Sequence, residues 1–278
     1  MHSGRRVRLT VRPAPADAGL TFVRTDVVDR PNRIVVSPEA VTRTQLNTEI
    51  SNADGVSVST IEHLMAAFAA LGVDNAVIEL DGPEVPIMDG SAMPFVQIMD
   101  RAGRRTLGKP RQHIEILETV EVAFGDKRAT LSPCDGGLEV AFEIAFPSQA
   151  IGRQRVDLLV DESSFRSELA AARTFGSVQE VEALRAAGLC RGGSLENAIV
   201  LDGDRILNPE GLRFPDEFVR HKAMDAVGDL YVLSAPVLGR YEALYGGHAL
   251  NNALVRELWS RPDAWRYATL TEALAEAG

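Results

Sequence analysis

An α+β architecture in two parts is predicted for this chain, and three observations support it. Both halves run strands first and helices later, an order that favours α+β over an alternating α/β sheet. At about 150 residues per domain, 278 residues correspond to two domains. The chain is 45% hydrophobic and 24% charged, the balance of a globular protein that can bury a sizeable core without disulfide or metal staples.

Residues 6–12 (RVRLTVR) alternate polar and apolar side chains, the pattern of a half-buried strand, and Pro13 and Pro15 end it. Residues 33–36 and 56–59 are further short strands. Ser59 is placed to cap a helix in which Leu64, Phe68 and Leu71 recur at helical spacing, with Gly72 as its stop. Residues 76–80 read as a strand, PEVPIMDGSAMP as a turn-rich loop, and residues 95–102 as a helix. The basic stretch 103–112, with Gly103, Gly108 and Pro110, is the candidate linker between domains 1–107 and 108–278. Residues 114–124, 128–132 and 138–146 follow as antiparallel strands. A helix over 178–187 is capped by Ser177 and closed by Gly188. Residues 198–201 and 204–207 flank an Asp-Gly turn, a hairpin signal. Helices over 216–233, after Pro215, and 248–260, after Gly246 and Gly247, complete the pattern.

Composition excludes several classes of function. Twenty-nine Lys and Arg against thirty-nine Asp and Glu leave a net charge of −10, unsuited to non-specific nucleic-acid binding. No P-loop and no GxGxxG is present. The longest apolar stretch, 64–71, is too short for an integral membrane span, and the opening MHSGRRVRLTVRP has no apolar core of a secretory signal. Cys134 and Cys190 make no disulfide framework, so the expected location is the cytoplasm.

Five histidines remain to carry chemistry. His221 and Asp225 lie four residues apart, about 40° apart on one helix face. They fit either a surface ion pair or two ligands of one metal. Phe218 on the same face suggests that the face is buried. Glu62 fits a capping box with Ser59, or, beside His63, the base that activates a metal-held water. His63 near a helix N-terminus is kept neutral and free to ligate. A third ligand from that segment would complete a His₂Asp set with an open fourth position, the catalytic zinc pattern. Lys222 is either a solvated lysine or a cation near a developing oxyanion or a phosphate. Asp229 is either a surface acid or the carboxylate that orients a histidine.

The segments STIEHLMAAFAALGVDNAVIELDGPEVPIMDGSAMPFV, ARTFG, GLCRGGSLENAIV, LRFPDEFVRHKAMDAVGDL and GGHALNN together resemble the UDP-3-O-acyl-N-acetylglucosamine deacetylase (LpxC) family of lipid A biosynthesis. The resemblance extends over nearly the whole chain. It implies a zinc metalloamidase holding one catalytic Zn²⁺, with Fe²⁺ as an alternative in the cell, on His63, His221 and Asp225. It implies Glu62 as general base, His248 as the acid for the leaving amine with Asp229 as its partner, and Thr174 as the oxyanion donor. Lys222 and Phe175 would contact the substrate, a UDP-linked acylated N-acetylglucosamine. The implied fold is two α+β domains, each a sheet layered on helices, with the active site at their interface. A βαβ insert at about 176–207 would form an apolar passage for the acyl chain. Val181, Cys190, Gly193 and Ala198 would line it, near Leu195; ordinary packing of a small subdomain is the alternative for each. Relatives of this kind carry a strand and turn before the position of His2, so the resemblance also implies a first sheet short of one strand. No nucleic-acid partner is expected, and a monomer is. The alternatives are a related zinc amidohydrolase with another substrate and a catalytically impaired relative that only binds zinc or substrate.

Overall fold

The computed structural model describes residues 1–269. The chain begins with β1 (Leu9–Pro13), β2 (Leu20–Arg24) and β3 (Arg33–Val35). Three short strands follow, β4 (Val41–Arg43), β5 (Glu49–Ser51) and β6 (Ser57–Val58). Helix α1 (Glu62–Leu71), β7 (Ala76–Leu80) and α2 (Met93–Ala102) come next. The first sheet has the order β1-β7-β2-β3, with β7 antiparallel to β1 and parallel to β2. Along β7 the two-residue period buries Ala76, Ile78 and Leu80 while Val77 and Glu79 stay partly exposed. Pro13, expected to end β1, is its last residue; β1 lies at the sheet edge, where a missing amide is tolerated. Strands β4, β5 and β6 form a small antiparallel sheet of their own.

The second half opens with β8 (Gln112–Ile116), β9 (Val120–Phe124), β10 (Lys127–Ser132), β11 (Leu138–Ala145) and β12 (Arg153–Val160). A helical turn, α3 (Glu162–Ser164), runs into a π-helical segment, Phe165–Leu169. Then come β13 (Phe175–Ser177), α4 (Val178–Ala186), β14 (Ile199–Asp202) and β15 (Arg205–Ile206). The described chain ends with α5 (Glu217–Leu230), β16 (Val237–Leu244), α6 (His248–Trp259) and β17 (Trp265–Thr269). A seven-stranded mixed sheet runs β12-β11-β16-β10-β9, with β8 joining β16 to β17. Its centre, β16, is parallel to β11 and β8. Of the strands expected to run antiparallel, β9 and β10 pair so, and β11 runs opposite to β10 with β16 between them. The single strand expected over 114–124 is two strands, because the amides of Leu117 and Glu118 turn away to the Ala264 carbonyl. Strands β13 and β14 run parallel with α4 crossing between them, the βαβ insert. Ser177 and Glu180 cap α4 reciprocally, as the sequence indicates.

The two halves meet along α1 and α5. Helix α1 is buried on nearly every side, and α5 buries Phe218, Val219, Ala223, Met224, Ala226 and Val227. Gly228 sets how closely they approach: a Cβ there would lie 2.0 Å from the Glu62 carbonyl oxygen. Gly72, left-handed at φ 68°, ends α1. Helix α5 stops at Leu230, and a 3₁₀ turn over Tyr231–Leu233 accounts for the rest of the longer helix expected there.

Candidate active site

His63 is the second residue of α1, and His221 and Asp225 lie one turn apart on α5. The close α1–α5 approach brings all three together, each 3% exposed. One ligand atom from each fits within 4.8 Å of the others. His63 Nε2 is 3.4 Å from Asp225 Oδ1, and His221 Nε2 is 3.3 Å from Asp225 Oδ2. The imidazoles meet edge to face with centroids 5.1 Å apart. Asp225 Oδ1 is buried without a well-aligned hydrogen-bond donor. Burial drives the His221 pKa down to about 3 against the pull of Asp225, so this imidazole is neutral. Its Nδ1 meets the Ala172 carbonyl at 3.1 Å, which leaves Nε2 with a free lone pair facing Asp225. For Asp225 burial acts upward, but His221, His63, His248 and Lys222 hold its carboxyl well below the usual carboxylate range. Two buried imidazoles, that of His221 held neutral, and an ionised carboxylate with an unsatisfied buried oxygen make a donor set suited to a divalent ion.

Glu62 does not form the capping box that its spacing from Ser59 allows. Helix α1 starts later, with Ile61 at its N-cap and no side-chain cap, and the Ser59 hydroxyl donates to the Pro83 carbonyl. Ser59 is instead held in a bridge with Glu84. The Glu62 carboxylate faces the site and accepts at Oε2 from the Thr48 amide at 3.0 Å. Burial raises its pKa, with His248 and His63 pulling it back.

His248 opens α6. Its Nδ1 donates to Asp229 Oδ2 at 2.8 Å, and its Nε2 lies 3.9 Å from Asp225 Oδ2. Asp229 is fully engaged: Asn251 Nδ2 donates to Oδ2 at 2.8 Å and the Thr48 hydroxyl donates to Oδ1 at 2.6 Å. Tyr241 in turn donates to Asn251 Oδ1 at 2.5 Å. Burial lowers the His248 pKa, but Asp229, Glu62 and Asp225 outweigh it and raise it to about 9. The imidazole is therefore protonated at neutral pH. Thr48 has no chemical signature in the sequence; Asn251 is visible only as part of GGHALNN.

Glu62, His63, His221, Asp225 and His248 face a cleft of about 1130 Å³ that Thr174, Phe175, Lys222, Val181, Cys190 and Ala198 also line. Gly193 does not line it: its amide bonds the Cys190 carbonyl at 3.3 Å, behind that wall. Leu195 is exposed, also away from the cleft wall. Phe175 packs edge to face on Phe218 and Phe146, with the Lys222 ammonium 5.9 Å from its ring centre. The Lys222 ammonium also lies 3.9 Å from Asp225. Thr174 is pinned through its backbone, its amide to the Gly90 carbonyl and its carbonyl to the Ile199 amide. Its neighbour Arg173, 2% exposed, forms a buried pair with Glu217 at the start of α5 (Nε to Oε1, 2.9 Å). That pair ties the segment carrying Thr174 and the Ala172 carbonyl to the helix carrying His221.

Fold and site together set a three-donor cluster that can hold one divalent ion, a buried carboxylate and a protonated histidine around one cleft. The family model described as UDP-3-O-acyl N-acetylglycosamine deacetylase matches residues 1–260. A UDP-3-O-acyl-N-acetylglucosamine deacetylase from Phenylobacterium zucineum (strain HLK1) is 67% identical over 277 residues, spanning 100% of this chain and 94% of its own. Deacetylases of the same name from Shewanella sp. (strain W3-18-1) and Shewanella baltica (strain OS155 / ATCC BAA-1091) are each 48% identical over 267 residues, spanning 95% of this chain and 87% of their own. The chain belongs to this deacetylase family.

Proposed function

We propose that this enzyme hydrolyses the N-acetyl group of UDP-3-O-acyl-N-acetylglucosamine, giving UDP-3-O-acyl-glucosamine and acetate, the committed step of lipid A synthesis. The relatives' names supply the substrate. The observation that carries the chemistry is the buried His63, His221 and Asp225 cluster with Glu62 on one side and the His248–Asp229 pair on the other. We assign the cluster to one zinc ion; ferrous iron suits the same donors. When bound, the ion supplies Lewis-acid polarisation of the amide carbonyl and acidifies water.

Glu62 takes the proton of the attacking water, and its raised pKa makes it a stronger base than an exposed glutamate. The Thr174 hydroxyl donates to the oxyanion. Protonated His248 gives its proton to the leaving amine, and Asp229 holds the ring in place. Lys222 contacts the substrate and Phe175 lies against the sugar, and Val181, Cys190, Gly193 and Ala198 form or back the acyl-chain passage of the insert, 176–207. Residues 1–107 and 108–278 are the two domains that close on the substrate. A cytoplasmic monomer is the working form; among the described residues no helix is long and apolar enough to cross a membrane.

Turnover of purified protein on UDP-3-O-acyl-N-acetylglucosamine, with metal quantified in the same sample, tests this. Acetate release with about one ion per chain is expected for one three-ligand site. Metal without turnover would point to the binding-only relative, and neither would overturn the cluster.

A further inference from the structure

We infer that Thr48 is a positioning residue that locks the base and the acid of the site to one another. The inference rests on the roles of Glu62 and His248 proposed above. Thr48 is 2% exposed and stands just before β5, in the small sheet of the first half. Three of its groups are engaged at once. Its amide donates to Glu62 Oε2 at 3.0 Å. Its carbonyl accepts from the amide of Ile61, the N-cap of α1, at 3.3 Å. Its hydroxyl donates to Asp229 Oδ1 at 2.6 Å and lies 3.5 Å from His248 Nδ1.

One residue thus touches both proton-transfer groups, the base through its backbone and the acid's carboxylate through its side chain. The carboxylate of Asp229 could rotate about its bond to Cβ if only Oδ2 were held, and His248 would turn with it. The Thr48 hydroxyl occupies Oδ1 and removes that freedom. Because the same residue also holds Glu62, the base and His248 keep a fixed separation across the substrate amide. A buried carboxylate oxygen left without its donor is costly, so the site has no equally good arrangement to fall into.

Thr48→Val keeps the shape and both backbone contacts and deletes only the hydroxyl. Outer partners of metal ligands are typically worth 10- to 100-fold, and the partner of a proton donor is expected on the same scale. The expected result is a fall in kcat of roughly that size, with KM, metal content and melting temperature near wild type. Thr48→Ser should recover most of the loss. In an Asp229→Asn background Thr48→Val should cost less than about 2-fold, because partners in one network are not additive. Unchanged kcat in Thr48→Val would overturn the inference. So would an equal loss in the Asp229→Asn background, or a loss that follows metal content or melting temperature. Glu62→Gln and His248→Ala, measured alongside, test the underlying roles separately. If they retain turnover, those roles fail whatever Thr48 does; if they lose it while Thr48→Val does not, only Thr48 is wrongly placed.

Discussion

At the residue scale the chemistry divides between a carboxylate whose pKa is raised and a histidine whose pKa is raised, and each predicts a separate result. Glu62 touches the metal ligands' surroundings but is not one of the three clustered donors. Glu62→Gln should therefore retain metal and lose kcat by about 10²-fold or more, the scale of general base catalysis. Metal analysis with steady-state kinetics checks it, and near-normal kcat would remove Glu62 as the base. His248 is protonated up to about 9 because Asp229 holds the imidazolium. With the folded-state pKa above the ordinary 6.5, this pair's contribution to stability is complete below 6.5 and lost as pH rises through about 9. Activity that needs the imidazolium falls over the same alkaline window. Asp229→Asn removes the charge that raises the pKa, so the alkaline limb of the kcat/KM profile should move to lower pH. A limb that stays in place would assign it to another group.

At the element scale the site depends on how closely α1 and α5 approach. Gly228→Ala would place a methyl 2.0 Å from the Glu62 carbonyl oxygen and 3.0 Å from the Ala66 amide nitrogen. Backbone on both sides cannot yield as a side-chain tip would. The helices must separate, at a cost toward the upper end of the about 1–3 kcal/mol typical of overpacking. His63 would then move away from His221 and Asp225, so metal affinity should fall together with the denaturation midpoint. A stable variant with wild-type affinity would show that the approach does not set the site. Much of this was legible in the sequence, for local reasons. The His221–Asp225 pair and the Glu62–His63 pair are each set by the geometry of one helix, and the Ser177–Glu180 cap by one turn. What escaped depends on distant partners. Thr48 meets Asp229 across 181 positions, and Arg173 meets Glu217 across 44. The Ser59 capping box was equally consistent locally and lost to a tertiary contact, the bridge to Glu84. Strand β12, with its charged and exposed face at a sheet edge, lacks the burial signal that made β7 readable.

For the whole molecule, an ion on the proposed cluster would be a cross-link as well as part of the reaction centre. His63 comes from the half built on the first sheet, and His221 and Asp225 from the half built on the seven-stranded sheet. An ion held by all three binds the folded chain and has no preformed site in the unfolded one, so its binding free energy adds to folding stability. Without it, the facing ends of α1 and α5 keep a buried carboxylate whose Oδ1 lacks a donor. Removing the ion should therefore loosen the contact between the halves as well as stop turnover. With free metal at about 100 times its dissociation constant the stabilisation is about 2.7 kcal/mol, or about 5 °C in melting temperature for a chain of 278 residues. Chelation should lower the melting temperature by that amount, and zinc should restore it. His63→Ala should remove the response, since two ligands from a single helix no longer join the halves. A chelated wild-type protein that melts where the loaded one does would mean that the α1–α5 contact is held by packing alone and that the ion contributes only to chemistry.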